Sequence, residues 1–184
     1  MSADKGIEGN PDFGPPQMWK VTINAPIETV WNTLVKTDEV LPFLFGGVCQ
    51  ADGALASGKS FRMVSRDGKF ATVVGRVLEF TPPTRFSHTI SFTQVQGEQP
   101  GRTTYDLKEV SGGTEVTLIA EAVAGSKTAR MAKTGPFIVG NLKRYVETGK
   151  PAFSGAMVMA LAPVMSVFAR RITRIENWPL EGRA

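Results

Sequence analysis

Three side chains in this sequence have the chemistry to hold or move a proton or to attack a carbonyl: His88, Tyr105 and Cys49. His88 is the single histidine, and an imidazole with an ordinary pKa of about 6.5 carries a proton either way near neutrality, which makes it the candidate acid or base. The sequence supplies it with no orienting partner. A structural histidine therefore stands beside one that orients a ligand carbonyl or catalyses an aldol-type cyclisation. Tyr105 would add a hydroxyl to the same surface, or would simply pack. Cys49, the single cysteine, shows no Cys-His pairing and reads as a packed or surface thiol. One histidine and one cysteine argue against zinc or another transition metal, and the chain has neither a P-loop nor a G-x-S-x-G elbow. The expectation is no metal, no nucleotide and no other cofactor.

Composition narrows the setting. The chain has 184 residues, 42% of them apolar and 21% charged, enough for one domain with a packed core plus an extension. With one cysteine and no basic-then-apolar layout in the first thirty residues, it reads as cytoplasmic. The formal net charge of +4 is unevenly placed: from Ser126 to Arg174 nine basic residues face one acidic residue, Glu147. Such a segment is either a solvated basic face or one that meets an anionic partner or surface. Nucleic acid is not expected, because stacking aromatics there are limited to Phe137, Tyr145, Phe153 and Phe168.

The elements that must position these side chains follow from periodicity. Residues 1–17, with Gly6, Gly9, Pro11, Gly14, Pro15 and Pro16, carry too many breakers for a regular element and read as a flexible lead. From Met18, apolar Trp19, Val21 and Ile23 alternate with Lys20, Thr22 and Asn24, the signature of a strand buried on one face. Pro26 opens a helix whose stripe is Ile27, Val30, Trp31 and Leu34, and a second short helix is expected from Asp38 to Phe43. Six strands then follow without an intervening helix: 46–51, 59–65, 70–80, 85–92, 102–110 and 114–121. The turn Arg66-Asp67-Gly68-Lys69 marks a hairpin, and Pro82-Pro83 closes the strand before it. After a mobile-looking stretch, Gly125 to Thr134, a helix from Gly135 to Thr148 carries Ile138, Leu142 and Tyr145 on one face and ends at Gly149. Strands clustered this way favour an antiparallel sheet, and the order gives an α+β helix-grip fold: seven strands curved around a long C-terminal helix.

Two stretches carry a resemblance. Val21-Thr22-Ile23-Asn24-Ala25-Pro26-Ile27-Glu28-Thr29-Val30-Trp31 resembles the opening of START-like (SRPBCC, Bet v 1-like) proteins. Gly58 to Met63, Gly75 to Phe86 and Gly113 to Leu118 look like the signature of the branch related to the Hsp90 ATPase activator C-terminal domain and to polyketide cyclase-like proteins. The resemblance covers residues 18–149 and implies an internal cavity. Its superfamily includes lipid and hormone carriers, cyclases and aromatases, and chaperone activators, so the fold does not choose the function.

Alternation selects the inward residues of such a cavity: Phe61, Met63, Val77, Phe86, His88, Ile90, Tyr105, Leu107, Val116 and Leu118 from strands, with Ile138, Leu142 and Tyr145 from the helix. A one-residue register error would exchange the faces, and the same residues also serve as plain core. The leading expectation is binding of a hydrophobic small molecule or lipid, with a cyclase or aromatase acting through His88 or Tyr105, or a chaperone-activator-like interaction protein, as alternatives. Residues 150–184 form an apolar and basic extension. A helix over 156–176 would align Met157, Leu161, Val164, Phe168, Ile172 and Ile175, leaving Arg170, Arg171 and Arg174 for an anionic membrane surface. Packing on this domain, a homodimer contact, peripheral membrane attachment and a span broken by Pro163 all remain open.

Overall fold

The computed structural model describes residues 12–150 and 171–180. Eight strands form one antiparallel sheet in the order β1-β8-β7-β6-β5-β4-β3-β2, where β1 is Gln17–Ile23, β2 Val40–Leu41, β3 Gly47–Ala51, β4 Ser60–Val64, β5 Ala71–Thr81, β6 Arg85–Phe92, β7 Gly101–Val110 and β8 Gly113–Glu121. Among the described residues three α-helices, α1 (Ile27–Leu34), α2 (Lys127–Ala132) and α3 (Gly135–Thr148), complete the helix-grip arrangement. The core lies between the inward sheet face and the buried stripes of α1 and α3. On α1 the stripe is Ile27, Val30, Trp31 and Leu34, all buried as their spacing requires.

The eighth strand replaces the expected helix at Asp38–Phe43. Pro42 disfavours helical dihedrals for the residue before it, and Leu41 is extended, so Val40–Leu41 pairs with β3 while Pro42–Leu44 makes a single 3-10 turn. Asp38, read as an N-cap, instead takes a left-handed φ of 61°.

The stretch read as mobile contains α2. Its first turn is held by Ser126 Oγ, which accepts from Ala129 N at 2.9 Å, and by Glu98, which accepts from Lys127 N at 2.8 Å and Thr128 N at 3.0 Å. Glu98 lies in the β6–β7 loop, so this cap is a tertiary contact that local periodicity does not reveal. Close approach explains the start of α3. A Cβ on Gly135 would lie 2.1 Å from the indole of Trp19, so only glycine lets β1 pack its tryptophan there.

Residues 12–16, expected within the flexible lead, run beside the chain that follows β8: Phe13 bridges Val123, and Gly14 N donates to Ala122 O at 3.0 Å. The expected C-terminal helix falls outside the described residues over 156–170. Across 171–177 it is not a continuous helix but two 3-10 turns, Arg171–Thr173 and Ile175–Asn177, with Arg174 extended between them and bridged to Phe70. This segment crosses the outward face of the sheet. Arg62 Nη1 donates to Trp178 O at 2.6 Å, Ile175 N donates to Lys69 O at 3.0 Å, and Leu180 is buried. Among the described residues no helix is long and apolar enough to cross a membrane.

Candidate functional site

Strand register gathers the chemistry of the inward face into one patch. Phe86 pairs with Tyr105, and His88 with Thr103, so β6 and β7 present two aromatic rings, an imidazole and a hydroxyl side by side. On β5, Val77 stands opposite His88, and Phe80 opposite Phe86. Strict alternation would turn Phe80 outward from Val77. The register shift between Val77 and Glu79 inserts one extra residue, a bulge that brings both to the interior. On β4, Phe61 faces Gly75, where a Cβ would meet the phenyl ring at 2.7 Å and Thr89 O at 2.2 Å. The missing side chain at Gly75 is what lets the Phe61 ring reach His88.

The rings form a continuous lining. His88 lies 4.9 Å from Phe61, edge to face, 4.9 Å from Phe86 and 6.4 Å from Tyr105. Phe86 stacks near-parallel on Tyr105 at 6.2 Å, and Phe80 links Phe86 to Trp31 of α1 at 5.8 Å and 5.2 Å. Such offset and edge-on pairs add to the burial of apolar area. Where the 3-10 turn Pro42–Leu44 meets α3, Phe45 stacks on Phe137 at 4.5 Å with rings 4° from parallel. Phe45 takes a left-handed φ of 58° and is 41% exposed, a combination that packing alone does not favour for an aromatic residue.

The polar atoms of the patch are the unusual part. His88 Nδ1 lies 2.9 Å from Thr89 O; a carbonyl can only accept, so Nδ1 carries the proton and Nε2 is the acceptor. Among the described residues, His88 Nε2, Thr103 Oγ1 and Tyr105 Oη have no hydrogen-bond partner; their residues are 7%, 8% and 4% exposed, but none of the three atoms is itself fully enclosed. On α3, Asn141 is also buried; its Nδ2 donates to Phe137 O at 2.8 Å while Oδ1 has no partner.

Burial also fixes the charge of these groups. Desolvation pulls the His88 pKa down to about 4, against a small opposing effect of its bond to Thr89, so the ring is neutral at physiological pH. The same burial pushes the Tyr105 phenol above its ordinary range. Arg62, the buried cation among the described residues, points to the outward face, where Nε donates to Gln50 Oε1 at 2.9 Å. The ion pairs Arg85 with Glu79 and Asp106, and Arg102 with Glu121, also lie on strand positions that alternate away from the patch. The interior is therefore apolar, aromatic and uncharged. Among the described residues no group of three metal-ligating side chains occurs.

Of the inward residues chosen by alternation, Phe61, Met63, Val77, Phe86, Tyr105, Leu107, Val116, Leu118 and Leu142 join one buried cluster, with Ile138 and Tyr145 packed against it and His88 in its aromatic lining. Ile90 stays outside the cluster. It is half-buried opposite Gly101, where its methyl group approaches the end of the sheet near Thr128. Sequence reasoning missed Phe80, hidden by the bulge, and Trp31, assigned to α1 without a place in the site. It also missed Thr103, which the period of two set on the same face as Tyr105. Side chains 0–9% exposed fill the space between sheet and helix, so the lining is in mutual contact.

A family model described as Activator of Hsp90 ATPase homolog 1-like protein matches residues 24–147. No curated protein matches the chain. Among solved structures, DynU16, a protein in the dynemicin biosynthetic locus, is 26% identical with a TM-score of 0.59; the match covers 76% of this chain and 49% of that one, so this chain spans about half its length. CalU16 from Micromonospora echinospora is 16% identical over 83% of this chain and 86% of its own, with a TM-score of 0.58. An HSP90 activator from Plasmodium falciparum is 18% identical over 75% and 99%, with a TM-score of 0.57. At these identities the last two likenesses are likenesses of fold.

Proposed function

The chain belongs to the activator of Hsp90 ATPase homolog 1-like family, and on that scaffold we propose that it binds a hydrophobic small molecule between the inward sheet face and α3. The observation that carries this reading is the set of polar atoms of His88, Thr103 and Tyr105 that face the aromatic lining without a hydrogen-bond partner among the described residues. A ligand that pairs with them gains about 1 kcal/mol per net hydrogen bond and adds the transfer of its own apolar area, roughly 25 cal/mol per Å². Because the aromatic side chains of the lining touch one another, entry displaces some of them.

Carriage suits these groups better than proton transfer. A general base works best with a pKa near the operating pH, whereas burial holds His88 neutral down to about 4 and makes Tyr105 a weaker acid than in water. Attachment to an anionic membrane through Arg170, Arg171 and Arg174 finds less support, because Arg171 and Arg174 sit in and between 3-10 turns and not along one helical stripe.

Native mass spectrometry of gently purified full-length protein, followed by solvent extraction, tests the reading. A bound apolar mass released by solvent is the expected result. Clean apo-protein that also shows no thermal shift with a panel of apolar compounds would overturn it and move the weight to a surface-mediated interaction, as in a chaperone activator.

A further inference from the structure

The reading of an apolar ligand leaves its chemical class open, and the inference that follows rests on that reading. On the inward face of the sheet, the side-chain polar atoms without a hydrogen-bond partner among the described residues are one obligate acceptor, His88 Nε2, and two hydroxyls, Thr103 Oγ1 and Tyr105 Oη, each able to donate or accept; Asn141 Oδ1 on α3 is a further unpaired acceptor. The three on the sheet are adjacent: His88 and Thr103 are register partners across β6 and β7, and Tyr105 is two residues along β7 on the same face, 6.4 Å from the imidazole between ring centroids. Phe61, Phe86 and Phe80 surround them with flat apolar surfaces.

We infer that this site takes a neutral, flat aromatic alcohol, whose hydroxyl donates to His88 Nε2 and accepts from Tyr105 or Thr103. Other classes fit less well. A ketone or ether satisfies the hydroxyls but leaves the imidazole acceptor unpaired. A carboxylate or phosphate meets no inward cation among the described residues, since Arg62 faces outward. An ammonium would pair with Nε2 yet remain a buried charge without a counter-ion. The hydroxyl alone offers both a donor and an acceptor at one atom. An aromatic body matches the lining, where stacked and edge-on ring contacts are already the rule among the protein's own side chains.

Calorimetric titration of the full-length protein with naphthalene, 2-naphthol and 2-naphthoate tests this. We expect 2-naphthol to bind about tenfold more tightly than naphthalene, the effect of two net hydrogen bonds, with 2-naphthoate weaker than 2-naphthol. Tyr105→Phe removes one oxygen and keeps the ring, so it should bring 2-naphthol to within about threefold of naphthalene without changing the affinity for naphthalene itself. Thr103→Val and His88→Phe supply independent checks should one variant fail to fold. The single histidine gives a further readout: its ring nitrogen resonances should shift with 2-naphthol and not with naphthalene. Equal affinity for the two, tightest binding of 2-naphthoate, or an unchanged preference in all three variants overturns the inference and leaves the apolar reading standing. Failure of all three compounds to bind, with no extractable ligand, overturns both.

Discussion

Lowering the pH protonates His88 in the unfolded chain well before it does so in the folded one. Burial without a counter-ion holds the native imidazole at about 4, whereas an unfolded chain leaves it near 6.5. The folded pKa is the lower of the two, so between these values the unfolded state binds one more proton, and stability rises with pH across the window. The contribution is fully present above about pH 6.5, falls by about 1.4 kcal/mol per pH unit below it, and is exhausted near pH 4, a total of roughly 3 kcal/mol. Carboxylates with lowered native pKa values, such as Glu147 and Asp67, weaken the protein in acid as well. The histidine term is isolated by comparison with His88→Phe. Urea unfolding of both proteins at about pH 7.5, 6.5, 5.5 and 4.5 should show the wild type losing about 2.5 kcal/mol more than the variant between the extremes. Because the protein has one histidine, its ring proton resonance gives the native pKa directly. A native pKa near 6.5, or a stability difference that does not vary with pH, would refute the claim that the imidazole is desolvated in the interior.

Two further substitutions probe the scaffold around the site. Gly75→Ala drives a methyl group to 2.2 Å from a backbone carbonyl that cannot rotate away and to 2.7 Å from the Phe61 ring, so a loss of about 3 kcal/mol is expected by urea unfolding, and a change under about 1 kcal/mol would count against the packing described. Ser126→Ala removes the side-chain acceptor for Ala129 N at the start of α2 and should cost about 1 kcal/mol, with amide exchange accelerating in α2 while α3 is unaffected; uniform acceleration across both helices would mean that the cap is not local.

Much of the fold was legible because its signals are local. Alternation in β1, the four-residue and three-residue spacing of α3, the Asp67-Gly68 turn and the glycine after Thr148 each report a conformation that neighbouring residues decide. The reading failed where a distant residue or a single proline intervened. Pro42 sets Leu41 extended and makes an edge strand of a segment whose composition allowed a helix. The cap on α2 comes from Glu98, about thirty residues upstream. The bulge at Val77/Glu79 shifts Phe80 to the interior, and no count of alternate residues from one end of β5 can include both. The site was legible as a face, through His88, Tyr105 and Phe86. Its hydrogen-bonding state was not, because an absent partner is a property of three-dimensional neighbours.

The distribution of hydroxyls across the same strands sets the inward face apart from the outward one. Ser87 and Thr104, register partners on the outward side of β6 and β7, hydrogen-bond to each other at 2.8 Å, and Thr89 Oγ1 accepts from Arg76 N at 2.8 Å. The sheet therefore satisfies buried hydroxyls where they face outward. One residue away along each strand, His88, Thr103 and Tyr105 turn inward and are left with unpaired atoms. Pairing His88 with Thr103 would have required only that the imidazole turn Nε2 toward its cross-strand neighbour, yet Nδ1 is anchored on Thr89 O and the ring is held between Phe61 and Phe86. The aromatic packing thus also fixes the acceptor in a direction that no donor among the described residues fills.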